Sequence, residues 1–324
     1  MKFKHTFHVF VDNFSIVYKQ LLYRIIVMAI FGSITVAVIY PFVMSLINSE
    51  QLRHLIDIAK DYLISLLNGE FSELSVLADN VIKAYNAFWE LLRTKLTSFI
   101  LSCLLLLLVH LVSKWFEGLG NYATAAAIND KMALRAKQPF TTTLIRNLKD
   151  AAIYSAIYVP LSTLYDIAVA TIMFFLLFFL LNNVLYFLVC LFLFVLAIVV
   201  SIVVKMTFTT DWLPAIIRGK KGQLGSFKYT FSQNGKSTLH VMSDFAVIVL
   251  LIFSLNVAAA ITTLGVGLLL TIPSSYVLIL CYELVNYYDR EGHKYFIDNN
   301  TVISTAKEHT MSREEFFRGN DEEN

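Results

Sequence analysis

Three polar side chains lie inside long apolar stretches of the sequence and are its first candidates for chemistry. Asp166 lies deep in the third stretch with Tyr165 beside it, and Glu283 lies in the last turns of the sixth. A charged side chain at the middle of a span costs about 2.5–3.5 kcal/mol on insertion scales, so it is a candidate for function. Asp166, Tyr165 and Glu283 are therefore the candidate intramembrane polar site, suited to a proton, a cation or a polar head group.

Both carboxylates also have a simpler structural interpretation. Asp166 can form a hydrogen bond to a serine or threonine on a neighbouring helix, or lie near an interface if its span begins late. Glu283 lies near the end of its span, where a side chain that extends to the interface avoids the cost of burial. We expect the interface position for Glu283, and for Asp166 we keep the binding site and the structural hydrogen bond as alternatives.

The sequence contains no complete catalytic motif. Tyr165 and Asp166 match the first half of the intramembrane aspartyl protease signature, but the second half requires an aspartate after Gly-x-Gly, and Gly265-Val-Gly is followed by Leu268. One carboxylate alone lacks the acid/base pair of that chemistry. H-E-x-x-H, G-x-S-x-G and G-x-x-x-x-G-K-[ST] are also absent. We predict no enzyme activity, no catalytic residues and no cofactor.

The cysteines and histidines do not predict a metal site. Cys103, Cys190 and Cys281 fall inside apolar runs without metal-type spacing such as C-x-x-C. We expect them to be buried as small apolar side chains. His110 ends the second span without a second ligand nearby in the sequence, so a hydrogen-bonded role is expected there.

Basic residues cluster in two segments beside the predicted spans. Each juxtamembrane Lys or Arg gains about 1 kcal/mol from anionic lipid, and the same charges also set topology. The predicted partners are the lipid bilayer, including anionic lipids, and another membrane protein, whereas a net charge of +2 gives no argument for nucleic acid. The candidate lipid-contact residues are Arg135, Lys137, Arg146, Arg218, Lys220 and Lys221.

Composition decides the class of protein. Hydrophobic residues make up 57% of the chain and charged residues only 15%, with a mean hydropathy of +0.65, whereas soluble domains carry roughly 25% charged residues. The run Ile167–Val204 is far longer than the ~20 residues that cross a bilayer. We therefore predict an all-α polytopic membrane bundle with about six transmembrane helices and amphipathic interfacial helices.

The apolar runs and the polar segments between them predict the organisation of the chain. The third and fourth spans, and likewise the fifth and sixth, are joined by short polar turns and form hairpins. The predicted segments are a cytoplasmic N-terminal segment 1–20, a first span 21–48, extracytoplasmic amphipathic helices 49–91, a five-span bundle 92–288 with basic cytoplasmic loops 114–150 and 207–240, and a cytoplasmic tail 289–324.

The segment from Glu50 to Glu90 repeats apolar residues at helical spacing among charged ones. It predicts two amphipathic helices that break at Asn68-Gly69 and lie on the membrane surface or pack on the bundle. This segment carries seven acidic and three basic residues, whereas both long loops are basic. The positive-inside rule therefore predicts a cell membrane protein with both termini in the cytoplasm.

The two basic loops share a pattern that indicates a weak internal repeat. Each has a basic turn, then a short amphipathic segment with Phe, Ser or Thr and Leu, then a span pair. A resemblance to a known family rests on Arg135–Leu148, Arg218–Phe231, the turn that begins at Thr263, and on Pro273 and Tyr282. The chain resembles bacterial six-span proteins related to the membrane domain of glycerophosphodiester phosphodiesterases. The resemblance implies a membrane-anchoring or envelope role without catalysis, because that family's active site lies in a separate soluble domain.

Two functional hypotheses follow. The first, which we favour from the sequence, is a non-enzymatic membrane scaffold or accessory protein of the cell envelope. The alternative is a transporter or lipid-handling protein with a polar site around Asp166, in which Pro160 and Pro273 break helices at the interface of two hairpins. The scarcity of other polar residues along the spans argues for the first.

Overall fold

A computed structural model describes residues 2–68, 74–133, 139–181, 187–219, 222–236, 238–304 and 309–312. These residues are almost entirely helical, and six of the helices are long and apolar enough to cross a membrane. The protein is therefore an all-α polytopic integral membrane protein, which confirms the predicted fold class. The six candidate spans are Ser15–Ile47, Leu96–Met132, Leu148–Leu177, Phe192–Ile217, Leu239–Thr262 and Leu268–Glu291.

The elements follow one another along the chain as twelve described helices and a small terminal sheet. The helices are α1 (Lys2–Asp12), α2 (Ser15–Ile47), α3 (Glu50–Asn68), α4 (Leu74–Thr94), α5 (Leu96–Met132), α6 (Phe140–Arg146), α7 (Leu148–Leu181), α8 (Phe187–Thr209), α9 (Trp212–Ile217), α10 (Gln223–Lys236), α11 (Thr238–Thr262) and α12 (Leu268–Glu291). The strands are β1 (Tyr295–Phe296), β2 (Thr301–Ser304) and β3 (His309–Ser312).

The chain divides into two compact units, and the smaller is Val27–Ser113. In this unit α3 and α4 pack against each other as a helix pair. The Lys95 ammonium donates a hydrogen bond to the Ser45 carbonyl at 3.1 Å, and the rings of Phe42 and Phe99 pack with centroids 5.5 Å apart. Two amphipathic helices are thus present where the spacing predicts them, and α3 ends at Asn68 as expected.

The larger unit comprises Met1–Ile26 and Lys114–Asn324. Its core surrounds α12, whose side chains Tyr282, Tyr287 and Tyr288 are almost completely buried. Helix α1 packs along α12, and α8 packs along α11. Helices α7 and α8 form one hairpin, and α11 and α12 form the other, as the sequence predicts.

The segment 114–150 is not the loop that its polarity predicted. Helix α5 continues without a break to Met132, and most residues from Gly118 onward are buried. Small side chains explain this result, because alanine favours helix and glycine lets a neighbouring helix approach closely. A Cβ on Gly118 would lie 2.5 Å from the Ser155 hydroxyl of α7, so only glycine fits the observed packing. The segment 207–240 is likewise largely helical, in α8, α9, α10 and α11.

The predicted tail 289–324 also begins with folded structure. Helix α12 extends to Glu291, and an antiparallel sheet in the order β1-β2-β3 follows. Tyr295 pairs with Ile303, and both side chains are buried. The Asp298 carboxylate accepts hydrogen bonds from the backbone amides of Asn300 and Thr301 and closes the β1–β2 turn. The acidic segment 313–324 lies outside the described residues.

Candidate functional site

A cavity of about 650 Å³ opens between the two hairpins. Residues from α5, α7, α8, α9, α11 and α12 line it, and all belong to the larger unit. Its walls are largely apolar, with isoleucines from three helices. The polar residues of its lining are Asn121, Tyr154, Tyr158, Tyr165, Asp166, Ser201, Lys205, Thr209, Asn256, Ser275, Tyr276 and Glu283.

Asp166 forms an ion pair in this cavity. The ammonium of Lys205 donates to both carboxylate oxygens, at 2.7 and 2.8 Å. The Lys205 side chain is 23% exposed and that of Asp166 is 59% exposed. The neighbouring Tyr165 hydroxyl donates to the Ser201 carbonyl at 2.7 Å and joins α7 to α8 beside the pair.

These contacts correct two expectations. Asp166 pairs with a lysine instead of a serine or threonine hydroxyl. Lys205 lies on α8, and this helix continues to Thr209, three residues into the predicted loop 207–240. The carboxylate of Asp166 on α7 gives this lysine a counter-charge, which lowers the cost of keeping the lysine in the bundle.

Glu283 also lines the cavity, and its expected position at the membrane interface stays a prediction. Its side chain is half-buried and forms no hydrogen bond or ion pair to any residue in the described part of the chain. Leu280 and Tyr276 precede it on the same face of α12, one and two helical turns away respectively, and both line the same cavity. The structure thus brings Asp166, Tyr165 and Glu283 together around one space.

A small polar cluster, which sequence reasoning missed, joins α11 to α12 beside the cavity. The Thr271 hydroxyl donates to Asn256 Oδ1 at 2.7 Å, and Asn256 Nδ2 donates to the Ser275 hydroxyl at 3.3 Å. The signal in the sequence was the isolated asparagine in an apolar span. An amide in that position has few water partners, so it bonds to a neighbouring helix.

Arg24 is a second polar residue that sequence reasoning missed. It lies on α2, and its guanidinium stacks over the ring of Tyr276 at 3.6 Å from the ring centroid. Arg24 also donates to Asn121 Oδ1 at 3.1 Å, and Gln20 donates to the same oxygen at 2.9 Å. Both Tyr276 and Asn121 are lining residues, so Arg24 supports the cavity wall from behind.

A third missed feature is the buried carboxylate of Asp211, in the turn between α8 and α9. Arg290 lies 2.5 Å from one of its oxygens, and Asn286 Nδ2 donates to both at 3.1 and 3.3 Å. Lys2 of α1 in turn donates to Asn286 Oδ1 at 3.0 Å. Asp211 is completely buried and has a positive φ of 67°, a conformation that aspartate tolerates better than most residues. The network ties α1, α9 and α12 together.

Outside the spans, Tyr229 of α10 donates a short hydrogen bond to the Glu291 carboxylate at the end of α12. Burial, followed by this hydrogen bond, raises the pKa of Tyr229 to about 12. The phenol therefore stays protonated at neutral pH and remains a donor. This contact attaches α10 to the end of the sixth span.

The predicted lipid-contact residues fall into two groups. Arg146 forms a 2.6 Å ion pair with the buried carboxylate of Asp130, and Arg218 lies 4.9 Å from the ring centroid of Tyr288. These two thus have protein partners. Four others lie outside the described residues: Arg135, Lys137, Lys220 and Lys221. Lipid contact remains a prediction for all six.

Metal-binding geometry is not found in the part of the chain that the structure describes, where no three His, Cys, Asp or Glu residues cluster. Cys281 is buried as expected, whereas Cys103 is exposed, which corrects the expectation for that residue. An outward-facing thiol on an apolar span is compatible with lipid contact. The side chain of Cys190 is not among those described.

Comparisons with known proteins found no matching family model, no matching curated protein and no matching solved structure. The resemblance to the membrane domain of glycerophosphodiester phosphodiesterases therefore stays a prediction. The function of this chain has to be argued from its own site.

Proposed function

We propose that this membrane protein is a transporter or lipid-handling protein whose ligand binds in the cavity between the two hairpins. The observation that carries the proposal is the Asp166–Lys205 ion pair on the wall of a cavity of about 650 Å³. Ligand pockets in proteins typically measure about 300–1,000 Å³ and combine apolar walls with a few polar groups that orient the ligand. This cavity has that size and composition.

The composition of the lining indicates an amphiphilic ligand. Isoleucines such as Ile198, Ile202 and Ile279 offer an apolar surface, while the charges of Asp166 and Glu283 lie within the same space. An alkyl chain would contact the first group and a polar head would contact the second. A position between two hairpins is also common for transporter sites, because the hairpins can move against each other.

The scaffold hypothesis explains these features less well. A scaffold needs outward contact surfaces, and it gains nothing from charged groups around an internal space. Placing a carboxylate in a span is costly, and Glu283 has no compensating ion pair among the described residues. A ligand that neutralises this carboxylate would supply the missing compensation.

The orientation belongs to the same proposal. We place both termini in the cytoplasm of a cell membrane, because the flanks of the predicted inner loops are basic and the segment from Glu50 to Glu90 is acidic. Single cysteines in a cysteine-free background test this topology. Glu90→Cys should react with an impermeant maleimide on intact cells, and Lys149→Cys should react only after lysis. The reverse pattern would invert the topology.

Filling the cavity tests the function. Ala170 lines it, whereas Ala168 lies exposed on the same helix and outside the lining, so Ala170→Trp and Ala168→Trp are a matched pair. Both proteins would be purified in mild detergent, examined for bound lipid by native mass spectrometry, and assayed in vesicles for transbilayer movement of fluorescent phosphatidylethanolamine. We expect Ala170→Trp to lose bound amphiphile and movement, and Ala168→Trp to keep both. Equal behaviour of the two variants would favour the scaffold.

A further inference from the structure

We infer that Glu283 and the tyrosines beside it form a subsite for an organic ammonium group. The inference rests on the proposed function and gives the charge class of its ligand. Four side chains define this ammonium subsite: Glu283 and Tyr276 of α12, and Tyr154 and Tyr158 of α7. All four line the cavity.

Helix geometry brings these side chains together. Tyr276 and Glu283 are two helical turns apart on one face of α12, and Tyr154 and Tyr158 are one turn apart on one face of α7. The rings of Tyr154 and Tyr158 stack with centroids 5.3 Å apart and an interplanar angle of 14°. Glu283 lines the same cavity as both phenols. The two helix faces that carry these side chains therefore border the same cavity.

The charge balance of the cavity favours a cation. Among the described residues the lining contains three charged side chains, and two of them, Asp166 and Lys205, neutralise each other at 2.7 Å. The remaining one is Glu283, for which no hydrogen bond or ion pair occurs within the described ranges. A ligand with one positive charge would stabilise the ionised form of this carboxylate.

The aromatic lining favours an ammonium group over a metal ion. Tyrosine rings attract cations through their faces, and recognition of quaternary ammonium groups by aromatic side chains with a carboxylate exploits this property. A metal ion would need several oxygen ligands, and no cluster of three acidic or histidine residues is found in the described chain. Arg24 over Tyr276 shows that this ring already binds one cation on one of its faces.

Isoleucine side chains lie next to the subsite. Ile279 lies one turn before Glu283 on α12, and Ile252 lies on α11, and both line the cavity. An alkyl chain attached to the ammonium group can pack on them. The shared chemistry is thus an amine with an apolar substituent, supplied either by a lipid head group or by a free amine.

The test uses two probe pairs on the full chain in detergent. Choline and its uncharged isostere 3,3-dimethylbutanol represent the free source, and lysophosphatidylethanolamine and lysophosphatidylglycerol represent the lipid source. Binding is measured by equilibrium titration. We expect at least about ten-fold tighter binding of the ammonium member in at least one pair. The pair that shows this difference identifies the source.

Variants assign the effect to the subsite. Glu283→Gln should remove the preference for ammonium and leave binding of the uncharged 3,3-dimethylbutanol unchanged, while Glu283→Asp should restore part of the preference. Glu117→Gln is the matched control, because Glu117 pairs with Lys114 at 2.9 Å and does not line the cavity. A single symmetric peak in size-exclusion chromatography verifies folding of each variant.

Three outcomes would overturn the inference. They are equal binding of both members of each pair, no saturable binding of either ammonium probe, or loss of binding of both members of a pair in Glu283→Gln. The proposed function is judged separately. If Ala170→Trp blocks bound amphiphile while the ammonium preference is absent, the cavity function stands and the ammonium subsite is wrong.

Discussion

Asp166 and Lys205 lie 39 positions apart in the chain, yet one ammonium group contacts both oxygens of one carboxylate. The pair joins α7 to α8 where the two helices line the cavity. An intramembrane charge of either sign is costly alone and much less so when paired. The pair therefore supports the packing of the hairpin and also places two charges where a ligand can exchange with them.

Breaking this pair should impair ligand handling. Asp166→Asn leaves the Lys205 ammonium without its carboxylate, so we expect movement of fluorescent phosphatidylethanolamine in vesicles to fall at least about ten-fold, with expression retained. The exchanged variant, Asp166→Lys with Lys205→Asp, should recover part of the activity, because it restores an ion pair. Unchanged movement in Asp166→Asn would contradict a role for the pair.

Close packing of α5 on α7 predicts a sharp penalty at Gly118. An added Cβ would lie 2.5 Å from Ser155 Oγ and 3.0 Å from Ser155 Cβ. Gly118→Ala should therefore lower the free energy of unfolding by about 1–3 kcal/mol, measured by thermal melting in detergent. Combining it with Ser155→Gly should recover part of the loss. Gly32→Ala is the control, because no atom lies within 4 Å of its added Cβ, and it should not destabilise.

The buried carboxylate of Asp211 predicts a larger effect. Asp211→Ala removes the buried carboxylate that pairs with the guanidinium of Arg290 and places alanine at a positive φ, so we expect a loss of about 3–5 kcal/mol in the free energy of unfolding. Asp211→Asn should lose less, because asparagine tolerates this backbone conformation. The exposed Asp57 provides a comparison, and Asp57→Ala should change the melting temperature little. Similar melting of all three variants would argue against the network.

The contact between the N-terminal helix and the terminal sheet should depend on pH. His5 of α1 lies 3.3 Å from the Tyr295 hydroxyl, which donates to Asp289. Burial lowers the pKa of His5 below its ordinary value of 6.5, although Asp289 acts in the opposite direction. The folded state thus prefers neutral imidazole. Its contribution to stability is present above pH 6.5 and is lost as the pH falls through the folded pKa.

Thermal melting at pH 7.5 and 5.5 measures this dependence. The unmodified protein should melt at a lower temperature at pH 5.5, and His5→Gln should reduce the difference between the two pH values. The exposed His8 lies one turn further along α1, so His8→Gln is the matched control and should keep the difference. An identical pH difference in His5→Gln would exclude His5 as its source.

Local patterns predicted the elements of this protein well. The turns after Leu180 and Ile261 predicted the two hairpins, and Asn68-Gly69 predicted the end of α3. The failures occurred where tertiary contacts outweighed local polarity. Helix α5 runs through a polar segment because its polar side chains find partners on other helices. Asn129 of α5, for example, accepts a hydrogen bond from the Tyr288 hydroxyl of α12 at 3.0 Å. The short strands after Tyr295 were missed because each is stable only when paired with the next.

In the candidate site, too, local sequence predicted some features and tertiary contacts decided the others. Asp166, Tyr165 and Glu283 were identifiable because an acidic or phenolic group in an apolar run is unusual whatever its neighbours are. Their partners were not identifiable, since Lys205 resembles an ordinary flanking charge until α8 is seen to continue past it. Arg24, Asn256 and Asp211 were missed because their partners lie on other helices, far away in the sequence.

The sequence by itself determined that this chain resides in the membrane, which segments are apolar enough to cross it and which charges are costly, because transfer of a segment into lipid depends on that segment's own side chains. The tertiary structure alone decided which charges are compensated. It paired Asp166 with Lys205, left Glu283 without such a partner among the described residues and enclosed both in one cavity. Compensation requires contact within a few ångströms, and only the packing of the helices creates that contact.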